Sequence, residues 1–132
     1  AAKLALGRNV KIVGVVSSHA TAYADSIAAR RVVVSAATTV LADGMACRIP
    51  DQAALDVLIP HVDHVVKVTD AEIAQAMRDI YQDTHNVAEG AGAASFAAAM
   101  QERTALKDKV VGTTLCGGNV DASVFARVLA SK

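Results

Sequence analysis

Apolar residues change their period along this chain, and each change marks an element. Val10 to Val16 is a β-branched run between Asn9 and the Ser17-Ser18 pair, which predicts a buried strand. His64 to Val68 and Lys109 to Cys116 predict a second and a third strand. The segments between them carry helical spacing. Thr69 and Glu72 form a Thr-x-x-Glu capping box, followed by Ile73, Ala76, Met77, Ile80 and Tyr81 on one face. Val87 to Met100 predicts a helix of Ala and Gly, in which Gly90 and Gly92 permit close approach to a neighbour.

Other helices are bounded by their punctuation. Ala1 to Leu6 ends at Gly7 and has no N-cap, the pattern of a helix whose beginning is missing. His19 to Arg30 takes Ser17 or Ser18 as its cap. Pro50 and Asp51 open a helix through Ile59 that Pro60 stops. Gly117-Gly118 makes a turn into a closing helix over Asn119 to Leu129. Val32 to Arg48 reads as mostly irregular: Val32 to Val34 has the look of a short strand, but Thr38 to Cys47 mixes its signals around Asp43-Gly44.

Strands alternating with helices predict an α/β fold. It would be three-layered, with a mainly parallel sheet flanked by helices and one domain over residues 1–132. The sheet is small for strands this apolar, which suggests that part of the architecture is missing. Composition agrees with tight packing of small side chains: 53% of residues are hydrophobic, yet there are only two Phe, two Tyr and no Trp.

Charge narrows the function classes. Lys plus Arg and Asp plus Glu both number 13, so no electrostatic footprint for nucleic acid or an anionic membrane exists. No apolar run approaches the ~20 residues of a membrane span, and no secretory signal is visible. Cys47 and Cys116 are far apart in unlike contexts, which predicts free, reduced thiols in a cytoplasmic protein and no zinc site.

A few positions invite chemistry. Leu115 to Asn119 ends a strand and opens a helix, where open α/β sheets gather ligands; a plain Gly-Gly turn is the ordinary alternative. Asp43-Gly44 lies in an apolar stretch and reads equally as a rigid pocket loop or a surface turn. Glu89 is a lone acid before an apolar helix, serving either catalysis or the helix dipole. His61 and His64 flank Asp63, but Pro60 and the following strand break the geometry a metal would need. None of Lys3, Lys11, Lys67, Lys107, Lys109 and Lys132 sits in the apolar context of a catalytic lysine.

Taken in order, several stretches resemble the serine/threonine dehydratases of the tryptophan-synthase-like, fold type II pyridoxal-phosphate enzymes. They are Val10 to Val15, Thr38 to Ala46, Val66 to Ile73, Ala88 to Ala94 and Leu115 to Asp121. The resemblance implies that Cys116 hydrogen-bonds the pyridine nitrogen of pyridoxal 5'-phosphate, with Gly117 beside it. It implies that Gly44 lines the other side of the ring, that Glu89 sits near the cofactor, and that Asn119 shapes the turn. It also implies a C-terminal portion of a catalytic domain acting on a small hydroxy amino acid, within a homo-oligomer.

The family's cofactor-bearing lysine motif and tetraglycine loop are not in this sequence, so no catalytic residue is assigned and the chain alone is expected to be inactive. Val16 and Ala22 stand where metal-dependent relatives carry carboxylates, so no metal is expected there. A non-catalytic α/β module and a serine racemase-like or other β-elimination enzyme are the alternatives.

Overall fold

The computed structural model describes residues 2–7 and 9–131. Ala1, where the first predicted helix starts, and Lys132 lie outside the described residues. Two strands, β1 (Val13–Ser17) and β2 (His64–Val68), pair in parallel with Val13 opposite His64 and Ser17 opposite Val68. The helices are α1 (Ala2–Leu6), α2 (Ala22–Ala29), α3 (Gln52–His61), α4 (Asp70–Thr84), α5 (Gly90–Gln101) and α6 (Ala122–Ala130).

Because side chains alternate across a strand, Val13, Val15, Val66 and Val68 share one face of the pair. That face joins the main core with Ile73, Ala76, Met77 and Ile80 of α4 and Ala93, Ala94, Ala97 and Ala98 of α5. The opposite face carries Gly14, Val16, Val65 and Lys67, and Lys67 Nζ reaches Asp25 Oδ1 of α2 at 3.0 Å. Helices therefore cover both faces, giving the expected three layers. The alanine run of α5 keeps that helix thin, so α4 and the sheet can both lie against it.

Most elements form where their local signals place them. Thr69 caps α4 by accepting from the Glu72 amide, while Glu72 Oε2 accepts from the Thr69 amide at 2.7 Å. This pairing holds the Glu72 carboxyl below the usual carboxylate range, the Thr69 backbone hydrogen bond being its largest cause. Gly7 ends α1 with φ 80°. Arg78 Nη1 donates to the Val128 carbonyl and to Ser131 Oγ, which fastens the end of α6 onto α4. Tyr81 and Phe125 meet edge to face at 5.4 Å in the same interface.

Several boundaries differ, each for a visible reason. β1 begins at Val13, because Asp63 Oδ2 takes the Ile12 amide at 2.7 Å and ends the ladder there. The same carboxylate binds Lys3 Nζ at 2.7 Å, and these two contacts, the lysine first, keep it below the usual range. α2 starts only at Ala22, with Thr21 as N-cap; Ser17 Oγ instead accepts from the His19 amide in a tight turn. α3 runs through Pro60 to His61 before Val62 turns extended. α5 begins at Gly90 and not at Val87, and α6 at Ala122 and not at Asn119.

One element is absent among the described residues. Lys109 is a bend and Val110 to Cys116 carries no regular structure, since a ladder needs a neighbouring strand and among the described residues β1 pairs only with β2. Val110 is fully exposed and Leu115 half-exposed. The Thr114 carbonyl takes a side-chain donor on α5, Ser95 Oγ, instead.

The capping box gives the first prediction. Thr69→Ala should lower stability by about 1 kcal/mol at neutral pH in urea denaturation. The depressed Glu72 carboxyl contributes stability that is complete above the ordinary carboxylate range and is lost as pH falls through its folded value. The deficit of Glu72→Gln should therefore shrink on acidification. A deficit that persists unchanged into acid would contradict this role.

Candidate functional site

α4 ends at Thr84, and His85 turns the chain in the left-handed region (φ 58°) with its amide on the Tyr81 carbonyl. Residues 86–89 then run extended to the start of α5, where Glu89 is the N-cap. Its side chain does not cap its own helix. Glu89 Oε2 accepts from the Asn119 amide at 3.0 Å, and the Glu89 amide donates to the Gly117 carbonyl at 3.1 Å. One residue thus grips the Gly117–Asn119 turn by backbone and side chain together.

The turn fits because side chains are missing around it. A Cβ on Gly117, whose φ is 125°, would stand 2.7 Å from the Glu89 carboxyl carbon. A Cβ on Gly92 would stand 2.5 Å from the Gly117 carbonyl oxygen. A Cβ on Gly90 would overlap the carbonyl of Leu41. The α5 N-terminus therefore touches both the 41–44 loop and the 116–118 segment at backbone distance.

Gly44 completes the corner. A Cβ there would lie 3.1 Å from Ala91 Cβ and 3.7 Å from Glu89 Oε1. Asp43, Gly44 and Met45 form a single 3-10 turn, and the Asp43 carboxylate is exposed and accepts from the Gly44 amide at 2.8 Å. The structure accordingly gathers Gly44, Glu89, Gly117 and Asn119 around one half-buried carboxylate. Cys116 adjoins them as a free, exposed thiol at the end of the segment 110–116.

Two supporting residues were not anticipated. Thr39 is buried, donates to Asp70 Oδ1 at 3.0 Å and accepts from the Ala42 amide at 3.3 Å, pinning the loop that carries Gly44. Ser95 on α5 donates to the Thr114 carbonyl at 2.7 Å. A hydroxyl inside the apolar stretches Thr38–Ala42 and Ala93–Ala98 is the one signal the sequence offers for either.

Other candidates are used elsewhere. Asp63 holds Lys3 and Ile12, and His64 Nε2 lies 2.8 Å from Glu102 Oε1. Among the described residues no three His, Cys, Asp or Glu side chains gather as metal ligands. Val16 is a half-buried residue of β1, and Ala22 is fully buried at the start of α2. Lys3 and Lys67 are paired with carboxylates, and Lys109 Nζ is held by the Ala105 carbonyl. A cleft of about 330 Å³ adjoins the corner through Gly92, Phe96, Thr114 and Leu115, but it includes none of the five predicted residues. They form an open wall.

A heteroaromatic cofactor ring needs a hydrogen-bonding group in its plane and an uncrowded surface beside it. At this corner Cys116 carries an exposed thiol, and Gly117 and Gly44 carry no side chain. The model of the "Pyridoxal-phosphate dependent enzyme" family matches residues 1–117. The chain belongs to this family.

Pyridoxal phosphate is accordingly the cofactor of the family in which these residues lie. L-threonine ammonia-lyase of Thermotoga maritima is 31% identical over 120 residues, covering 91% of this chain and 30% of that enzyme. The processed form of threonine deaminase isoform 2 from Solanum lycopersicum superposes with a TM-score of 0.86 at 26% identity, over 99% of this chain and 39% of that one. Maize serine racemase superposes at 0.83 with 27% identity, over 96% and 39%. The chain thus spans about a third of the length of the curated relatives it matches. No helix among the described residues is long and apolar enough to cross a membrane.

The glycine contacts predict an inverted substitution effect. Gly→Ala in an ordinary helix gains up to about 1 kcal/mol. Gly90→Ala should instead lose roughly 1–3 kcal/mol, because the new methyl meets backbone that cannot yield like a side-chain tip. Thermal unfolding of the two proteins decides it, and a gain for the alanine form would dismiss the close approach.

Proposed function

We propose that this chain is the C-terminal part of the catalytic domain of a pyridoxal-phosphate-dependent L-threonine or L-serine dehydratase. The reaction converts the hydroxy amino acid into a 2-oxo acid and ammonia. The observation that carries this reading is the corner itself: an exposed Cys116 thiol directly before a Gly117–Asn119 turn that Glu89 holds by its backbone amide and its carboxylate. The threonine-deaminating relatives support the choice of reaction.

Bound pyridoxal phosphate would supply the electron sink for loss of the α-proton and the β-hydroxyl. Cys116 would hold the pyridine nitrogen by a hydrogen bond. A neutral partner there, unlike a carboxylate, leaves the nitrogen largely unprotonated and moderates the sink. Gly117 and Gly44 would keep both sides of the ring open, and Glu89 and Asn119 would complete the lining. None of the described lysines lies at this corner, so the residue that carries the cofactor would come from another part of the enzyme. The working protein would be a cytoplasmic homo-oligomer.

The serine racemase likeness favours one competing reading, in which the same wall serves racemisation or another β-elimination. Products formed from L-threonine and L-serine by the enzyme carrying this chain separate the two. A 2-oxo acid in stoichiometric amount supports dehydration, while D-serine as main product supports the racemase. Membership of the family argues against a purely non-catalytic module.

Two outcomes test the wall. In the enzyme carrying this chain, Cys116→Ser should retain pyridoxal phosphate and most activity. Cys116→Ala should loosen the cofactor by about 1 kcal/mol, the net worth of a neutral hydrogen bond. Cys116→Asp should be worst, since it places a further charge beside the ring. Equal behaviour of all three in cofactor titrations would make Cys116 a mere turn residue. The 132-residue chain alone, treated with pyridoxal phosphate and borohydride, should yield no stoichiometric adduct at a single lysine; such an adduct would overturn the assignment of the lysine elsewhere.

A further inference from the structure

β1 and β2 run parallel, so both end on the same side of the sheet, and the loop that carries Gly44 is tied to both ends. Beyond β1, the Thr38 amide donates to the His19 carbonyl at 2.8 Å, and Ala37 bridges Ala20. Beyond β2, Asp70 Oδ1 accepts from Thr39 Oγ1 at 3.0 Å. The same hydroxyl accepts from the Ala42 amide at 3.3 Å, and the Ala42 carbonyl takes the Met45 amide at 2.9 Å, which closes the turn around Gly44. On its other side this turn meets the first residues of α5, where a Cβ on Gly44 would lie 3.1 Å from Ala91 Cβ and 3.7 Å from Glu89 Oε1.

We propose that Thr39 is a positioning residue for the cofactor ring: its hydroxyl relays the place of Asp70, at the start of α4, to the Gly44 turn. The inference rests on the cofactor reading above, in which Gly44 lines the ring. Thr39 is only 8% exposed and Ala42 is 0% exposed. This chain's own residues already enclose both, so further chain packed against the outside cannot hand the Ala42 amide another acceptor. A buried amide without an acceptor is costly, and without the hydroxyl the turn would shift to find one. The backbone clamp to the first strand stops at Thr38, so between there and Gly44 the described link to the strand ends is the Thr39 side chain. Threonine suits the task because one hydroxyl donates and accepts at once.

The test uses the enzyme carrying this chain. Thr39→Val keeps the branched shape and deletes the hydroxyl, Thr39→Ser keeps the hydroxyl, and Asp70→Ala deletes the acceptor at a half-buried position. Asp63→Asn is the control, since Asp63 holds Lys3 and Ile12 at the opposite end of the strands. Amide exchange at Ala42 and Met45 reports whether the turn is held, with or without cofactor. Titration with pyridoxal phosphate reports affinity, and thermal unfolding reports stability. Gly44→Ala, alone and combined with Thr39→Val, shows whether the two positions act on one contact.

Thr39→Val and Asp70→Ala should each speed both amides and weaken cofactor binding about fivefold, the factor a neutral hydrogen bond is worth. The cofactor then binds only the fraction of molecules whose turn is in place. Thr39→Ser should restore both readouts, and Asp63→Asn should lower the melting temperature with affinity intact. Once Gly44→Ala has disturbed the wall, adding Thr39→Val should cost little further affinity. Unchanged exchange would overturn the proposal, and so would faster exchange with affinity intact, because Thr39 would then be structural only. An equal loss of affinity in Asp63→Asn, or a full second loss in the Gly44→Ala background, would overturn it too. If Thr39→Val does not fold, Asp70→Ala decides by the same readouts. An unsubstituted enzyme that binds no pyridoxal phosphate would bring down the cofactor reading and this role with it, while the exchange data would still show whether Thr39 holds the turn.

Discussion

At Gly90 the α5 helix runs so close to the 41–44 loop that a methyl group would overlap the Leu41 carbonyl, and at Gly92 a Cβ would come within 2.5 Å of the Gly117 carbonyl. This backbone-on-backbone contact organises the molecule. It brings two loops from distant parts of the sequence onto the first turn of one helix, and a single carboxylate, Glu89, then spans the gap. Without bare Cα atoms at those two positions the loops would stand off by the width of a side chain. The Asn119 amide would lose its acceptor.

The remainder of the fold keeps α5 in place. Its alanines lie against β1, β2 and α4, and their small volume lets three elements converge on a helix only three turns long. α4 is fixed at its start by the capping box and along its length by Ile73, Met77 and Ile80, all buried. Arg78 and Tyr81 carry that order to α6, which follows the Gly117-Gly118 turn. The wall is therefore held from two directions, by α5 beneath it and by α6 beyond it.

The chemistry of the wall is defined by what it withholds. No ion pair among the described residues involves Glu89, whose carboxylate is held by the Asn119 amide instead. On the proposed reading, the Cys116 thiol would offer a ring nitrogen one weak, uncharged partner. Such a partner would suit a reaction in which the cofactor needs moderate electron withdrawal, and pyridoxal phosphate is the cofactor of the family to which the chain belongs.

Local patterns in the sequence determined those elements whose energetics are local. The capping box at Thr69 and Glu72 closes within four residues, and α4 formed where it pointed; His64 to Val68 is bounded by its own polar flanks and formed as read. The motifs around Gly44, Glu89 and Cys116 carried the family likeness. What the sequence could not decide was anything requiring a partner far along the chain. Lys109 to Cys116 has every local mark of a strand, but a ladder is a property of two segments, and no described residues supply the second. The length of β1 was likewise set by Asp63, some fifty residues away, and the start of α6 by a turn tied to Glu89. Ser95 and Thr39 read as unremarkable hydroxyls until tertiary packing put a carbonyl and a carboxylate within reach of them, since a hydrogen bond depends on position in space and the sequence records only order.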